Sequence, residues 1–258
     1  MTYLEARKLA VMGSKGPILD DVSVSLRLGE FVGLIGPNGA GKTTLVKSLL
    51  GLRQPSAGQV SLEGRHLGQW HRGEVAKRLG YLAQGAPCHW PVTVERVVAL
   101  GRLAHARELG GRDANGPEVV RLALAATGMT GLKDRVVTSL SGGERTLAMI
   151  ARCLAGGAPM ILADEPVTGL DPRHQIEVME TLKARIGPRT GVVAVLHDLN
   201  LALRYCTRLI LMDGGGIVVD GYAREVLSQK NLKAVYGIDA DVHVVGGHSL
   251  VIPKDGDR

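Results

Sequence analysis

With 258 residues, 45% of them hydrophobic, the chain can bury a core of its own, as one large domain or as a core carrying a sizeable insertion. The net charge is +6, but the basic residues form no concentrated run and aromatic side chains make up only 3%, so a mixed charged surface is expected and no nucleic-acid partner. No apolar run approaches a membrane span, the N-terminus lacks a secretory pattern, and Cys88, Cys153 and Cys206 lie far apart with no Cys-x-x-Cys pair, which points to a soluble chain in a reducing compartment.

In chain order, residues 4–28 alternate loosely (Leu9, Val11, Ile18, Val22, Val24, Leu26) about Gly13-Ser14-Lys15-Gly16-Pro17, which predicts antiparallel strands joined by a turn. Residues 31–35 are a short apolar run, expected of a strand covered on both faces, and residues 44–50 read as a helix. A turn at 55–58, a strand at 59–63, a helix at 68–78 and an apolar strand at 79–83 follow. From Val92 to about Ala155 apolar residues recur at helical spacing (Val94, Val97, Val98; Val119, Val120, Leu122, Leu124), broken by Gly110-Gly111 and Asn115-Gly116-Pro117. This region reads as a helical subdomain inserted into an α/β core. Strand 160–164, helix 173–186 and strand 192–196 resume the alternation that implies a parallel sheet. Residues 209–213 and 217–220 read as a hairpin, and residues 242–252 around Gly246-Gly247 as another.

Between the strand at 31–35 and the helix that follows lies Gly36-Pro37-Asn38-Gly39-Ala40-Gly41-Lys42-Thr43, a full match to the phosphate-binding pattern G-x-x-x-x-G-K-[ST]. Its glycines let backbone N–H groups and the positive end of the helix, which Thr44 continues, face phosphate oxygens. Lys42 is expected to reach the β- and γ-phosphates, and Thr43 to offer its hydroxyl to Mg²⁺. Asp164 ends an apolar strand, where a carboxylate would meet the same ion, and Glu165 is placed to orient and polarise a water for attack on the γ-phosphate. Ser141 and Glu144 have capping-box spacing, and Gly142-Gly143 leave the start of that helix bare, a surface suited to a neighbouring copy's nucleotide.

These stretches, with Gln84 after its strand, residues 161–166, Gly169-Leu170-Asp171 and His197-Asp198, stand in the order of the ATP-binding-cassette (ABC) ATPases, which the chain resembles over nearly its whole length. The resemblance implies an α/β P-loop NTPase core with a mainly parallel sheet and an N-terminal antiparallel β subdomain (residues 1–85 and 157–240). It also implies an inserted α-helical signature subdomain (86–156) and a C-terminal tail (241–258). ATP and Mg²⁺ are the implied cofactors, with Thr43, Asp164 and Gln84 on the metal. Gln84 is then the glutamine that couples to a membrane partner, and Ser141, Gly142 and Gly143 the signature that closes on the opposing subunit's ATP. Asp171 belongs to the loop linking the two sites of the dimer, and His197 is the switch histidine at the γ-phosphate. Two departures stand out: Glu144 where the family more often has Gln, and Gly13 where an aromatic side chain usually stacks on adenine.

A single cassette resembles a bacterial importer subunit, and residues 92–102 and 197–202 resemble the group that takes up ferric siderophores, haem and cobalamin, a pattern that zinc and manganese importers largely share. The implied assembly is a homodimer at the cytoplasmic face of the inner membrane, on permease subunits that it would meet through residues 84–107, with a periplasmic substrate-binding protein as an indirect partner. Two rivals are weighed. An ABC ATPase acting on nucleic acid or ribosomes tends to carry a coiled-coil insertion or a second cassette, and a small-molecule P-loop kinase needs no signature sequence. His89, His105, His243 and His248 fit no standard metal-ligand spacing.

Overall fold

The computed structural model describes residues 2–85, 90–106, 113–245 and 248–254. Cys88, His89, Arg107, Gly110-Gly111 and the expected turn at Gly246-Gly247 therefore lie outside the described residues. In chain order the elements are β1 (Leu4–Gly13), β2 (Gly16–Leu26), β3 (Phe31–Ile35), α1 (Lys42–Leu49), β4 (Ala57–Leu62), β5 (Arg65–His66), α2 (Arg72–Arg78), β6 (Leu79–Leu82), α3 (Val94–Ala99), α4 (Leu103–Ala106), α5 (Gly116–Ala126) and α6 (Gly142–Gly156). They continue with β7 (Met160–Asp164), α7 (Pro172–Ala184), β8 (Gly191–Val195), α8 (Leu199–Tyr205), β9 (Arg208–Asp213), β10 (Gly216–Tyr222), α9 (Ala223–Val226), α10 (Gln229–Tyr236), β11 (Ala240–Val245) and β12 (His248–Pro253). The chain divides into two compact units, residues 1–69 with 193–258, and residues 70–192, the boundary falling inside β8.

In the first unit, an antiparallel sheet of order β2-β1-β4-β5 holds Leu4, Leu9, Leu19 and Leu26 out of water, and the alternation of these strands is that of a sheet with one buried face. A second set of strands, in the order β10-β9-β3-β8, carries the phosphate loop at the end of β3. Every residue of β3 is buried, and its register against β9 is parallel, Val32 opposite Arg208 and Ile35 opposite Leu211, which explains the unbroken apolar run. β9 and β10 form the expected hairpin. The tail hairpin β11–β12 is also present, and it is tied to α8 through Asn200, whose Oδ1 accepts from the Val251 N–H at 2.7 Å and whose Nδ2 donates to the Val251 carbonyl at 3.5 Å.

In the second unit β6 and β7 pair in parallel, Leu82 opposite Ala163, and β7 is buried throughout. α6 is the central helix, with α3, α5 and α7 against it and Leu147, Met149 and Ile150 in its buried stripe. The expected helix over 68–78 is split. A 3-10 turn occupies Leu67–Gln69, and α2 begins only after His71, whose ring Nδ1 accepts from the Gly73 N–H at 3.2 Å and caps it. The strand expected from residue 59 starts at Ala57, because pairing of Ala57 with Ala10 extends it into the expected turn. Helices α9 and α10 have no counterpart among the expected elements; α10 is an eight-residue helix with Leu232 as its buried residue, too short for a periodic signal.

Candidate functional site

The phosphate loop is shaped by its glycines. Gly36, Gly39 and Gly41 have φ of 142°, 86° and 94°, in the region that side chains with a Cβ rarely occupy. A Cβ on Gly41 would also lie 2.6 Å from Leu19 Cδ2 and 2.9 Å from the Ile18 carbonyl oxygen, so β2 presses directly on the loop. Pro37 is half-buried, Asn38 and Gly39 are exposed and Ala40 is buried, with the Ala40 N–H donating to the Pro37 carbonyl at 3.2 Å. Gly41 is the N-cap of α1 and provides no side-chain cap, which leaves the helix start to whatever anion approaches. Lys42 is buried, and its Nζ donates to the carbonyls of Gly36 at 2.7 Å and Pro37 at 2.8 Å, bracing the loop from within. Thr43 and Thr44 follow, half-buried, in the first turn of α1.

Two further positions belong to the same unit. His197 is exposed just beyond β8, and the next residue, Asp198, caps α8 by accepting from the N–H groups of Asn200 at 2.8 Å and Leu201 at 2.9 Å. Tyr236, at the end of α10, has its hydroxyl on the Gly36 backbone amide, and burial pushes its pKa up to about 12, so it stays a neutral phenol beside the loop. Nothing in the local pattern around Tyr236 marks this contact, because it joins residues two hundred positions apart.

The second unit carries the carboxylates. Asp164 is 1% exposed at the end of β7, and Tyr81 on the neighbouring β6 hydrogen-bonds to it; burial first, and then the Asp164 charge, push Tyr81 up to about 12. Glu165 follows with φ of 52°, a left-handed conformation unusual for a residue with a side chain. Its Oε2 accepts from Gln84 Nε2 at 2.8 Å and from Thr168 Oγ1 at 3.1 Å. Gln84 and Glu165, 81 positions apart in the chain, are thus brought together directly.

Ser141 is the N-cap of α6 in a complete capping box: its Oγ accepts from the Glu144 N–H at 3.2 Å, while its own N–H donates to Glu144 Oε2 at 2.9 Å. That backbone bond from Ser141 holds the Glu144 carboxyl below its ordinary value of 4.5. Gly143 has a second reason to lack a side chain, since the ring of His174 occupies the space a Cβ would need. His174 is itself fixed by Asp171, which caps α7, accepting from the His174 N–H at 3.1 Å and pairing with its Nδ1 at 2.7 Å. The bond with the His174 side chain is the largest cause of the lowered Asp171 pKa. His174 therefore links Asp171 to the signature-like helix start, a role the sequence reading missed although the Asp-x-x-His spacing is that of an N-cap and its N3 partner.

The family model described as ABC transporter matches residues 19–168, well over half of the chain. The chain belongs to the ABC transporter family. It is 38% identical to the hemin import ATP-binding protein HmuV of Bradyrhizobium diazoefficiens over 97% of this chain and 94% of that protein. It is also 38% identical to the ferric enterobactin transport ATP-binding protein FepC of Escherichia coli, over 97% and 93%. Among solved structures, MJ1267, an ATP-binding cassette of an ABC transporter, superposes with a TM-score of 0.79 at 25% identity, covering 92% of this chain and 99% of that one. The α/β P-loop fold with its antiparallel N-terminal sheet and its helices is that of the family's ATPases, and the chain is an ATPase that binds ATP.

The hydroxyl of Thr43, the buried carboxylate of Asp164 and the carboxamide of Gln84 are hard oxygen donors, the set that Mg²⁺ prefers. At Gly13, where the ABC pattern usually has an aromatic, the side chain of Ile18 closes over the glycine, with a Cβ there only 2.7 Å from its Cδ1, while Met12 beside it is 57% exposed. Of the histidines weighed as ligands, His105 Nε2 lies 2.9 Å from the Gly156 carbonyl and His243 lies 3.8 Å from Asp241. No helix among the described residues is long and apolar enough to cross a membrane.

Proposed function

We propose that two copies of this chain bind two ATP·Mg²⁺ and power an inner-membrane importer of an iron chelate or haem. The importer branch rests on likeness to relatives named for hemin import and ferric enterobactin transport, each matched over nearly its whole length. Residues 86–156 act as the signature subdomain within a core of residues 1–85 and 157–240, residues 84–107 meet the permease at the cytoplasmic face, and a periplasmic binding protein delivers cargo from the other side.

Each residue has a role that its surroundings support. The N–H groups of residues 36–44 wrap the β- and γ-phosphates, and Lys42 turns its ammonium from the loop carbonyls to the γ-phosphate. Thr43, Asp164 and Gln84 would hold a magnesium ion, which when bound would offset the charge of the phosphates. Glu165 takes a proton from water as the water oxygen bonds to the γ-phosphorus; the bond from that phosphorus to the bridging oxygen breaks with its electron pair going to ADP, the proton passes on to the departing phosphate, and ADP and phosphate leave. His197 steadies the γ-phosphate, and Ser141, Gly142, Gly143 and Glu144 bring a bare helix start to the partner's nucleotide, with Asp171 linking the two sites. Met12 offers its thioether to adenine, a contact of about 0.3–1.5 kcal/mol, against roughly 1–3 for stacking on an aromatic ring.

The observation that carries this reading is the Gln84–Glu165 hydrogen bond: the residue assigned to sense the membrane partner holds the residue assigned to activate water. Glu165→Gln should lower ATP turnover by at least about 100-fold while ATP still binds, because an amide cannot serve as the base. Wild-type turnover in that variant would overturn the assignment.

A further inference from the structure

We infer that Thr168 is a positioning residue for Glu165, holding its carboxylate in the orientation that activates water when Gln84 withdraws. The inference rests on the reading of Glu165 as the general base. Its observation is a convergence: two donors, Gln84 Nε2 at 2.8 Å and Thr168 Oγ1 at 3.1 Å, share one oxygen, Oε2 of Glu165.

The local chain makes the second donor a fixture. Glu165-Pro166-Val167-Thr168 forms a turn in which the Thr168 N–H donates to the Glu165 carbonyl at 3.4 Å, with proline at the position where its fixed φ favours a turn. Pro166 and Val167 are buried and anchor the turn, and the first and fourth side chains come round to the same side. Glu165 itself sits at φ 52°, a conformation that needs support from its neighbours. Gln84 differs in kind. It is exposed, it comes from a segment 81 positions away, and its carboxamide is also wanted by the metal and by coupling to the membrane partner. When Gln84 turns to those tasks, the Thr168 hydroxyl moves with the same turn as the carboxylate and stays bonded to it. A carboxylate oxygen has room for both donors, so the exchange needs no rearrangement of Glu165.

Thr168 is exposed, so replacing it leaves the core intact. The test compares wild type with Thr168→Val, which keeps the shape and removes the hydroxyl, Thr168→Ser, which keeps the hydroxyl and removes the methyl, and Glu165→Gln as reference. Steady-state kcat and KM for ATP and the affinity of a fluorescent ATP analogue are measured for each. A hydrogen bond to a charged group that serves the transition state is worth about a ten-fold or greater change in rate. Thr168→Val should therefore lose about ten-fold in kcat, with KM and analogue affinity within about two-fold of wild type, and Thr168→Ser should retain most of the rate. Wild-type kcat in Thr168→Val, an equal loss in Thr168→Ser, or a change confined to KM would overturn the inference. The reference separates it from its parent: an inactive Glu165→Gln beside an unaffected Thr168→Val overturns the positioning role alone, whereas an active Glu165→Gln overturns both.

Discussion

Gly143 shows how one position can answer to two demands. As part of a bare helix start it suits an approaching phosphate, and as a neighbour of His174 it leaves the space that the imidazole ring fills. Gly143→Ala would push a methyl into that ring and, through it, on the Asp171 cap, overpacking that typically costs 1–3 kcal/mol. The expected outcome is a lower thermal midpoint together with lost ATPase activity, while the affinity of the chain's own phosphate loop for a fluorescent ATP analogue stays at wild-type level. At this scale the sequence was legible wherever a residue type is dictated by its own immediate chemistry: the loop glycines, Lys42, and the paired Asp164-Glu165 at the end of an all-buried strand. It said little of Thr168, His174 and Tyr236. Their contacts depend on a turn, on a ring filling a space beside a glycine, and on a hydroxyl reaching a distant amide; of these only His174 leaves a trace in the chain, in its Asp-x-x-His spacing.

Among the elements, α6 carries the departure at Glu144. Either Glu or Gln can close a capping box, but only Glu makes it titrate. The Glu144 carboxyl is held below 4.5 by the Ser141 N–H, so its folded pKa lies below its unfolded one. Its contribution to stability is then fully present above about 4.5 and is lost as pH falls through the lower folded value. Glu144→Gln should match wild type at neutral pH and lose less of its thermal midpoint on acidification from about pH 5 to pH 3, followed by circular dichroism. Equal acid loss in both would mean that Glu144 does not titrate differently in the folded state. Strands with a clear two-residue alternation or a continuous apolar run, β1 to β3 and β7 to β10, were foreseen close to their observed positions. The split at Gly68–Arg78 was not, because its cause is a histidine ring capping α2, and short helices such as α9 give too few residues for a period.

For the molecule as a whole, the order of the matched stretches and the family match over residues 19–168 place the chain among the ABC transporter ATPases, and relatives matched almost end to end are named for hemin import and ferric enterobactin transport. The central claim is that ATP is held by two chains together, with the phosphate loop of one facing the signature helix of the other. A variant that binds ATP without hydrolysing it isolates that claim. The most direct measurement is the mass of Glu165→Gln by light scattering after gel filtration, with Mg²⁺ and either ATP or ADP present. With ATP the expected mass is twice that of one chain, and with ADP that of a single chain; a single-chain mass with ATP demonstrably bound would contradict a shared ATP site.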